Sequence, residues 1–430
     1  MVVVVVVGAI FVQASVQVRR GLDLSTCKRI LCWFSCWRDG SVWYGLYVVL
    51  ARISVAGVVA SQLGLMLHVW GDLYSTSLCV YLTLAVLSAW FKMVQFYLAR
   101  PKVDALLREL SGEVLLHAED LSEGTEDVFR RFQKRSGMFR RTFLVLGHLT
   151  ILSWAAKPFL DRLLGSGGPL SLPQDAWYPF DTTRSPYYEI AYLHQVLSLY
   201  VAATCVVTVD VFFTTLVMYL AAQLQVLNLH LQAMNCGPRL PAATDDTMDA
   251  CNNPVVAKKS EEADGLPSAN PRDAHAQLVR NVLHHQVIIR SVRIMEEAMG
   301  PCVFVQFLFN VIVMCIYAFV LAGVRNMNVG SLAICLTNLI STCVENFGYC
   351  WFGNEIISQS EQLAFSAYSS GWVGSGSRYQ KSLMVLTMRA QRPLCLTVGS
   401  LYTLSRETFL TLLNGSYSFL AVLLQMNNSN

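Results

Sequence analysis

The chain has 430 residues, 54% of them hydrophobic and only 14% charged, and a formal net charge of +3. Soluble domains carry about a quarter charged residues, so a chain this apolar, with several long hydrophobic runs, reads as a polytopic membrane protein. A charge of +3 is too small to imply nucleic acid as a partner, and the 11% aromatic content suits an apolar cavity and lipid-facing helices equally.

The start, MVVVVVVGAIFVQASVQVRR, lacks the basic n-region of a signal peptide and is interrupted by Gln13 and Gln17. It reads as a gene-model artefact or a loosely ordered tail within a cytosolic segment 1–42, not as an eighth span. Spanning helices are expected near 43–67, 75–98, 142–160 and 190–218, all inside 43–222, with an outer loop at 161–189. A cytosolic loop follows at 223–300. Its centre, 234–273, is rich in Pro, Asp, Asn and Ala, lacks periodicity, and is expected to be a disordered insert. Its flanks read as amphipathic helices. Leu220, Leu224, Leu227 and Leu231 extend the fourth span, and Leu278, Val282, Ile289 and Val292 lead into the fifth. Two more spans are expected at 301–323 and 330–352, within 301–352. Residues 353–404 are cytosolic. There, 379–404 is apolar but carries Arg389, Gln391, Arg392 and Pro393 at its middle, where a lone helix in lipid would suffer. It reads as a helix packed among other cytosolic helix ends. A last span at 407–426 lies within 405–430, which ends in a short outer tail.

The fold class is therefore an all-α membrane protein with seven transmembrane helices. Basic residues set the orientation. With the N-terminus cytosolic, the outer segments hold only Arg162, Arg184 and Arg325, while the inner ones hold many more, including Arg130, Arg131, Lys134, Arg135, Arg140 and Arg141. The C-terminus is then extracellular, which argues against a G-protein-coupled receptor. The 13 cysteines are an odd number, mostly inside apolar runs, without metal-ligand spacing, and read as free hydrophobe-like thiols. His284 and His285 are adjacent and point about 100° apart on a helix, so they do not chelate together. No cofactor site is expected.

The last span carries a stripe. Thr411, Asn414, Ser418, Val422 and Gln425 step 3-4-4-3 and share one face, bordered by Gly415 and Met426, while the other faces are apolar. A polar stripe in lipid must meet protein or water. Either it hydrogen-bonds a neighbouring helix of the same bundle, or copies of the helix surround a pore. In the pore, Val422 forms an apolar ring between Ser418 and Gln425, a layout suited to gating by dewetting.

The blocks WFGNEIISQSEQLAFSAYSSGW (351–372), LMVLTMRAQRPLCLTVGSLYTLSRETFLTLLNGSYSFLAVLLQ (383–425) and WYPFDTTRSPYYEIAYLHQ (177–195) resemble the insect odorant receptor family of seven-span odorant-gated ion channels. The resemblance covers about 177–425 well, and the first third in span pattern only. It implies a heterotetramer with an odorant co-receptor, and a pore to which each subunit gives its last helix. It implies a cytosolic helical anchor from the inner helix ends, here 353–404, and a plasma-membrane location in sensory neurons. The family's gate position falls on Val422, and its neighbouring pore positions on Gln425 and Met426. Ser418-Phe419-Leu420-Ala421 departs from the co-receptor's own ending, so the chain reads as a ligand-tuning subunit and not an enzyme. Odorants of the family bind in the outer half of each bundle.

A volatile ligand needs a mostly apolar, aromatic pocket. Leu78, Tyr81 and Leu82 share a face near the outer end of the second span, and Gly147, Thr150 and Trp154 step along the third. Trp154 is the favoured contact, with Gly147 and Thr150 expected to leave space along its face. Thr204 and Cys205 on the fourth span face either way. The competing reading of each is plain packing. Arg52, Lys92 and Asp210 are expensive in lipid: Lys92 can snorkel to the inner end, and Asp210 can pair with a basic group in the bundle. The sequons at Asn414 and Asn427 are expected to be unused. A secondary transporter would show matched halves, and a membrane enzyme would cluster catalytic side chains; neither pattern is present. A gustatory receptor of the same superfamily is the runner-up.

Overall fold

The computed structural model describes residues 42–70, 73–110, 124–163, 171–234, 271–323, 329–399 and 401–429. The expectations for 1–41, and for 235–270 of the insert, lie outside the described residues. The insert's last three positions, 271–273, are helical and open α5.

Six long helices come first in chain order: α1 (Val42–His68), α2 (Leu73–Leu110), α3 (Thr125–Leu163), α4 (Tyr187–Ala233), α5 (Pro271–Gly323) and α6 (Val329–Tyr368). The short α7 (Ser377–Ala390) follows, then a hairpin of β1 (Thr397–Val398) and β2 (Tyr402–Thr403), and then α8 (Arg406–Ser429). Among the described residues, five helices are long and apolar enough to cross a membrane by length and composition, and they lie in α1 to α5.

The helices outrun the bilayer. A hydrocarbon core needs about 20 residues of helix, whereas α4 has 47 and α5 has 53. The predicted spans are thus only parts of helices that run on well beyond them. Packing sustains the extensions. Leu220, Leu224, Leu227 and Leu231 are all fully buried, as are Leu278 and Ile288. The expected amphipathic continuation of α4 is buried well beyond its leucine stripe, with Ala221, Ala222, Gln223 and Val226 equally enclosed and Gln225 and Leu229 half-buried. The polar groups enclosed with them are hydrogen-bonded, Asn228 donating to Gln359 O at 2.9 Å and Gln223 accepting from His284.

The segment 379–404 differs from its predicted helix. Helix α7 stops at Ala390, with Tyr379, Leu383, Leu386 and Ala390 on its buried face. Pro393 lacks a backbone donor and cannot extend the helix. The chain then turns back as the hairpin, pairing Thr397 with Thr403 and Val398 with Tyr402. Its turn needs Gly399: φ is +59°, and an added Cβ would stand 2.6 Å from Phe304 Cδ2. Arg392 and Pro393 are exposed, so the charge at the middle of this segment stays in water.

On the other side of the molecule, the segment before α4 folds onto α1. Trp177 N donates to Ser61 O at 2.9 Å, and its ring lies over Gly64. Gln174 is held by Gln62 at 2.8 Å and exchanges two hydrogen bonds of 3.0 Å with Gln195.

Candidate functional site

Three places carry chemistry. The first is an apolar cluster in the half of the bundle beneath the Trp177 segment. Trp154 (α3), Tyr81 and Leu82 (α2), Val313, Ile316, Tyr317 and Val320 (α5), and Ile334 and Cys335 (α6) are buried together. The Tyr81 and Tyr317 rings lie 4.7 Å apart. Three of the residues singled out from sequence thus meet. Thr150 sits half-buried one turn from Trp154, where its hydroxyl donates to Leu146 O at 3.0 Å and shares a 3.2 Å hydrogen bond with Ser341. Gly147 does not leave space along Trp154. A Cβ there would stand 2.7 Å from Val207 Cγ2, so the glycine lets α3 and α4 touch. Thr204 and Cys205 both face inward. The side chain of Leu78 lies outside the described residues.

The second is a buried polar network linking four helices. Lys92 Nζ (α2) is 2.6 Å from Asp210 Oδ1 (α4), both side chains 1% exposed, and 3.4 Å from Glu345 Oε1 (α6). Tyr349 donates to Asp210 at 2.5 Å. Gln306 and Asn310 (α5) donate to the two oxygens of Glu345, and Asn310 also donates to Asn346 at 3.1 Å. Lys92 therefore does not snorkel. A counter-ion within hydrogen-bonding distance holds it inside the bundle, as pairing with Asp210 requires. Lys92, Asp210 and Glu345 stand six, eight and seven residues inside the predicted inner ends at 98, 218 and 352. That is one level, about 10 Å along the helices from those predicted ends. Glu345 escaped the sequence reading. It is the one acidic residue within 330–352, and that isolation was the available signal.

The third is α8. Thr408 and Ser416 are buried, and Cys315 of α5 donates its thiol to Ser416 O at 3.3 Å. The opposite face carries Thr411, Asn414, Ser418, Val422 and Gln425, all exposed. Thr411 and Ser418 turn their hydroxyls onto Glu407 O and Asn414 O of their own helix, at 2.9 and 3.0 Å. The side chain of Met426 lies outside the described residues. Among the described residues, no group of three His, Cys, Asp or Glu could hold a metal ion.

The family profile described as 7tm Odorant receptor matches residues 72–417. The chain belongs to the odorant receptor family. Curated relatives of this family include Odorant receptor 10 of Aedes albopictus, 24% identical and covering 84% of this chain and 87% of the relative. Another is Odorant receptor Or2 of Anopheles gambiae, 21% identical over 84% and 86% of the two chains. The solved olfactory receptor OR5 of Machilis hrabei, in complex with eugenol, superposes with a TM-score of 0.76 at 17% identity, covering 94% of this chain and 97% of that one. The fold is accordingly the seven-span, all-α architecture of an odorant receptor, and the chain is a multi-pass membrane protein. In it α1 to α6 and α8 are the seven bundle helices, and α7 with the hairpin is the additional element. Family membership places the chain among receptors and not enzymes.

Proposed function

We propose that this odorant receptor is a ligand-tuning subunit of a non-selective cation channel, working in a heterotetramer with odorant co-receptor subunits in the plasma membrane of a sensory neuron. One observation carries the channel reading. The stripe of α8 is not consumed inside the subunit, because Thr411, Asn414, Ser418 and Val422 are exposed while the opposite face packs on α5 and α6. Thr411 and Ser418 meet their own helix, but the exposed Asn414 amide at that depth needs water or another copy of the helix, and a ring of α8 helices supplies both. Val422 is the gate in this reading, with Ser418, Gln425 and Met426 as neighbouring rings. The exposed apolar face of α7, Met384, Val385 and Met388, suits contact with a neighbouring subunit. Residues 353–404 serve as the cytosolic anchor.

The ligand is a volatile, mostly apolar small molecule, the class to which eugenol belongs. Trp154, Tyr81 and Leu82 line its site together with Tyr317 and Ile316, with Thr150 at the margin and Gly147 setting the α3–α4 spacing, and Leu78 joins as a contact from its sequence position one turn before Leu82. Dispersion and shape dominate such a site, so specificity is broad.

The experiment is whole-cell current under a panel of volatiles, with and without a co-receptor. Current only with the co-receptor supports the tuning-subunit reading, and Val422→Ala then raises leak or shifts gating at unchanged surface level. Current from this chain alone makes it a self-sufficient channel. Surface-expressed protein that passes no current, yet accumulates solute against a gradient, overturns the channel.

A further inference from the structure

We propose that the inner end of α3 carries a headgroup site for a polyphosphoinositide of the cytoplasmic leaflet. The proposal rests on the reading above that 124–141 faces the cytosol.

One face of α3 runs unbroken from its inner end into the bilayer. Arg131, Lys134, Met138, Arg141, Val145, Leu149, Leu152 and Phe159 step 3-4-3-4-4-3-7, and at 100° per residue they fall within a sector of about 80°. All eight are exposed. The last four are large, apolar and 48–59% exposed, and they lie in the predicted span, so this side of α3 faces acyl chains. The same side, followed inward, becomes Arg141, Lys134 and Arg131, flanked by exposed Arg130 and Arg135. The basic residues therefore stand directly beneath the headgroups of the lipids that coat α3.

Their charge is largely uncompensated. Arg130 pairs with Glu126 at 3.2 Å, and Arg131 donates to the Asp127 carbonyl. Lys134, Arg135 and Arg141 have no ion pair among the described residues. On the inner ends of α2 and α5 the charge is mixed: Arg100 pairs with Asp104, Lys102 with Glu297 and Arg290 with Glu109, while Arg280 and Arg293 have no ion pair among the described residues and do not continue into a lipid-facing apolar stripe of α3's kind. Basic clusters just cytoplasmic of a span attract anionic lipid. The ladder from Arg141 to Arg131 covers ten residues, about 15 Å. One phosphodiester at the membrane surface meets only its top rung, whereas a headgroup with further phosphates projecting into the cytosol meets several. A partner protein is the less suitable occupant, because α6 packs on both α3 and α8. The exposed face of α3 thus lies on the side of the subunit away from the proposed pore helix, toward lipid.

The test uses the purified full chain in detergent and a short-chain fluorescent phosphatidylinositol 4,5-bisphosphate, read by anisotropy. Saturable binding that weakens with salt is expected. Lys134→Gln/Arg141→Gln should weaken it about thirtyfold, while Arg280→Gln/Arg293→Gln, which removes two exposed charges from α5, should not. Equal loss in both double variants, or none in the first, overturns the site. So does competition by phosphatidylserine at matched charge, which removes the polyphosphate requirement. Equally tight binding of soluble inositol trisphosphate would make the ligand a cytosolic solute and overturn the membrane source. Sidedness is tested separately: an impermeant thiol reagent on intact cells should label Arg131→Cys no more than the parent chain, and extra labelling overturns the proposal. Volatile-evoked current separates the two readings. Normal current without lipid binding sinks this inference and leaves the receptor function standing; lipid binding without current does the reverse.

Discussion

Lys92 is the costliest residue in the bundle to leave alone. Its ammonium lies between Asp210 and Glu345, and all three are removed from solvent to 12% exposure or less. Removing one member of a buried pair costs about 3–5 kcal/mol, because the partner charge stays behind. Lys92→Met should therefore lower the thermal midpoint of the purified receptor sharply and cut its surface level. Lys92→Met/Asp210→Asn should recover much of both, since the amide oxygen of the new side chain would still accept from Tyr349. A double variant no better than the single one would mean that Lys92 acts through something other than this pair. Gly147 gives a second residue-scale test. With Val207 Cγ2 2.7 Å from the position of its missing Cβ, Gly147→Ala should destabilise by about 1–3 kcal/mol. Val207→Ala should relieve that cost in a thermal-unfolding cycle; an additive result would show that the two helices do not meet there.

At the scale of elements, the root of α8 is the sensitive part. Glu296 of α5 accepts from both the backbone N and the hydroxyl of Thr397, at 2.6 and 2.7 Å, which pins β1. Strand β2 leads through Leu404, whose N donates to Leu396 O at 2.8 Å, into α8. Gly353 of α6 lies against this junction so closely that a Cβ would stand 2.6 Å from Leu404 O, a backbone atom that cannot step aside. Gly353→Ala should therefore displace the start of α8. The expected result is a receptor that reaches the membrane but shows altered or lost volatile-evoked current, measured at matched surface level; unchanged current would detach the hairpin from gating. Glu296→Ala removes the two hydrogen bonds without a clash, at a cost of about 1.5–3 kcal/mol each for bonds to a charged group, and should act in the same direction more weakly.

Across the whole molecule, what the sequence shows is what lipid demands. Runs of about 20 apolar residues and the bias of basic residues make the spans legible, because both follow from the solvent and not from neighbours. The inner extensions of α4 and α5 are only half legible. Leu220 to Leu231 carry a helical period, but that Ala221 and Gln223 are equally buried depends on which helices surround them. Gly147 illustrates the same limit, since a glycine that leaves room and one that permits close approach look alike in sequence. The hairpin is invisible, its strands being two residues each.

The inner bundle also holds a prediction that belongs to the assembly of helices rather than to any one of them. His230 of α4 and His284 and His285 of α5 are all buried. His284 donates from Nε2 to Gln223 at 2.9 Å. Burial, with His230 and His285 beside it, lowers the His284 pKa to about 3. Burial, with Arg389 of α7 nearby, lowers that of His285 to about 4, and burial lowers that of His230 as well. In the unfolded chain these groups titrate near 6.5. As pH falls below that value the unfolded state takes up protons first, so the stability these neutral histidines provide is complete above about pH 6.5. It declines by about 1.4 kcal/mol per pH unit for each of His284 and His285 down toward their folded values. The receptor should thus unfold at a distinctly lower temperature at pH 5.5 than at pH 7.5. His285→Gln, uncharged at both, should flatten the slope by about half of the part these two residues supply. An unaltered slope in that variant would assign the acid sensitivity to carboxylates elsewhere and remove the histidines from the account.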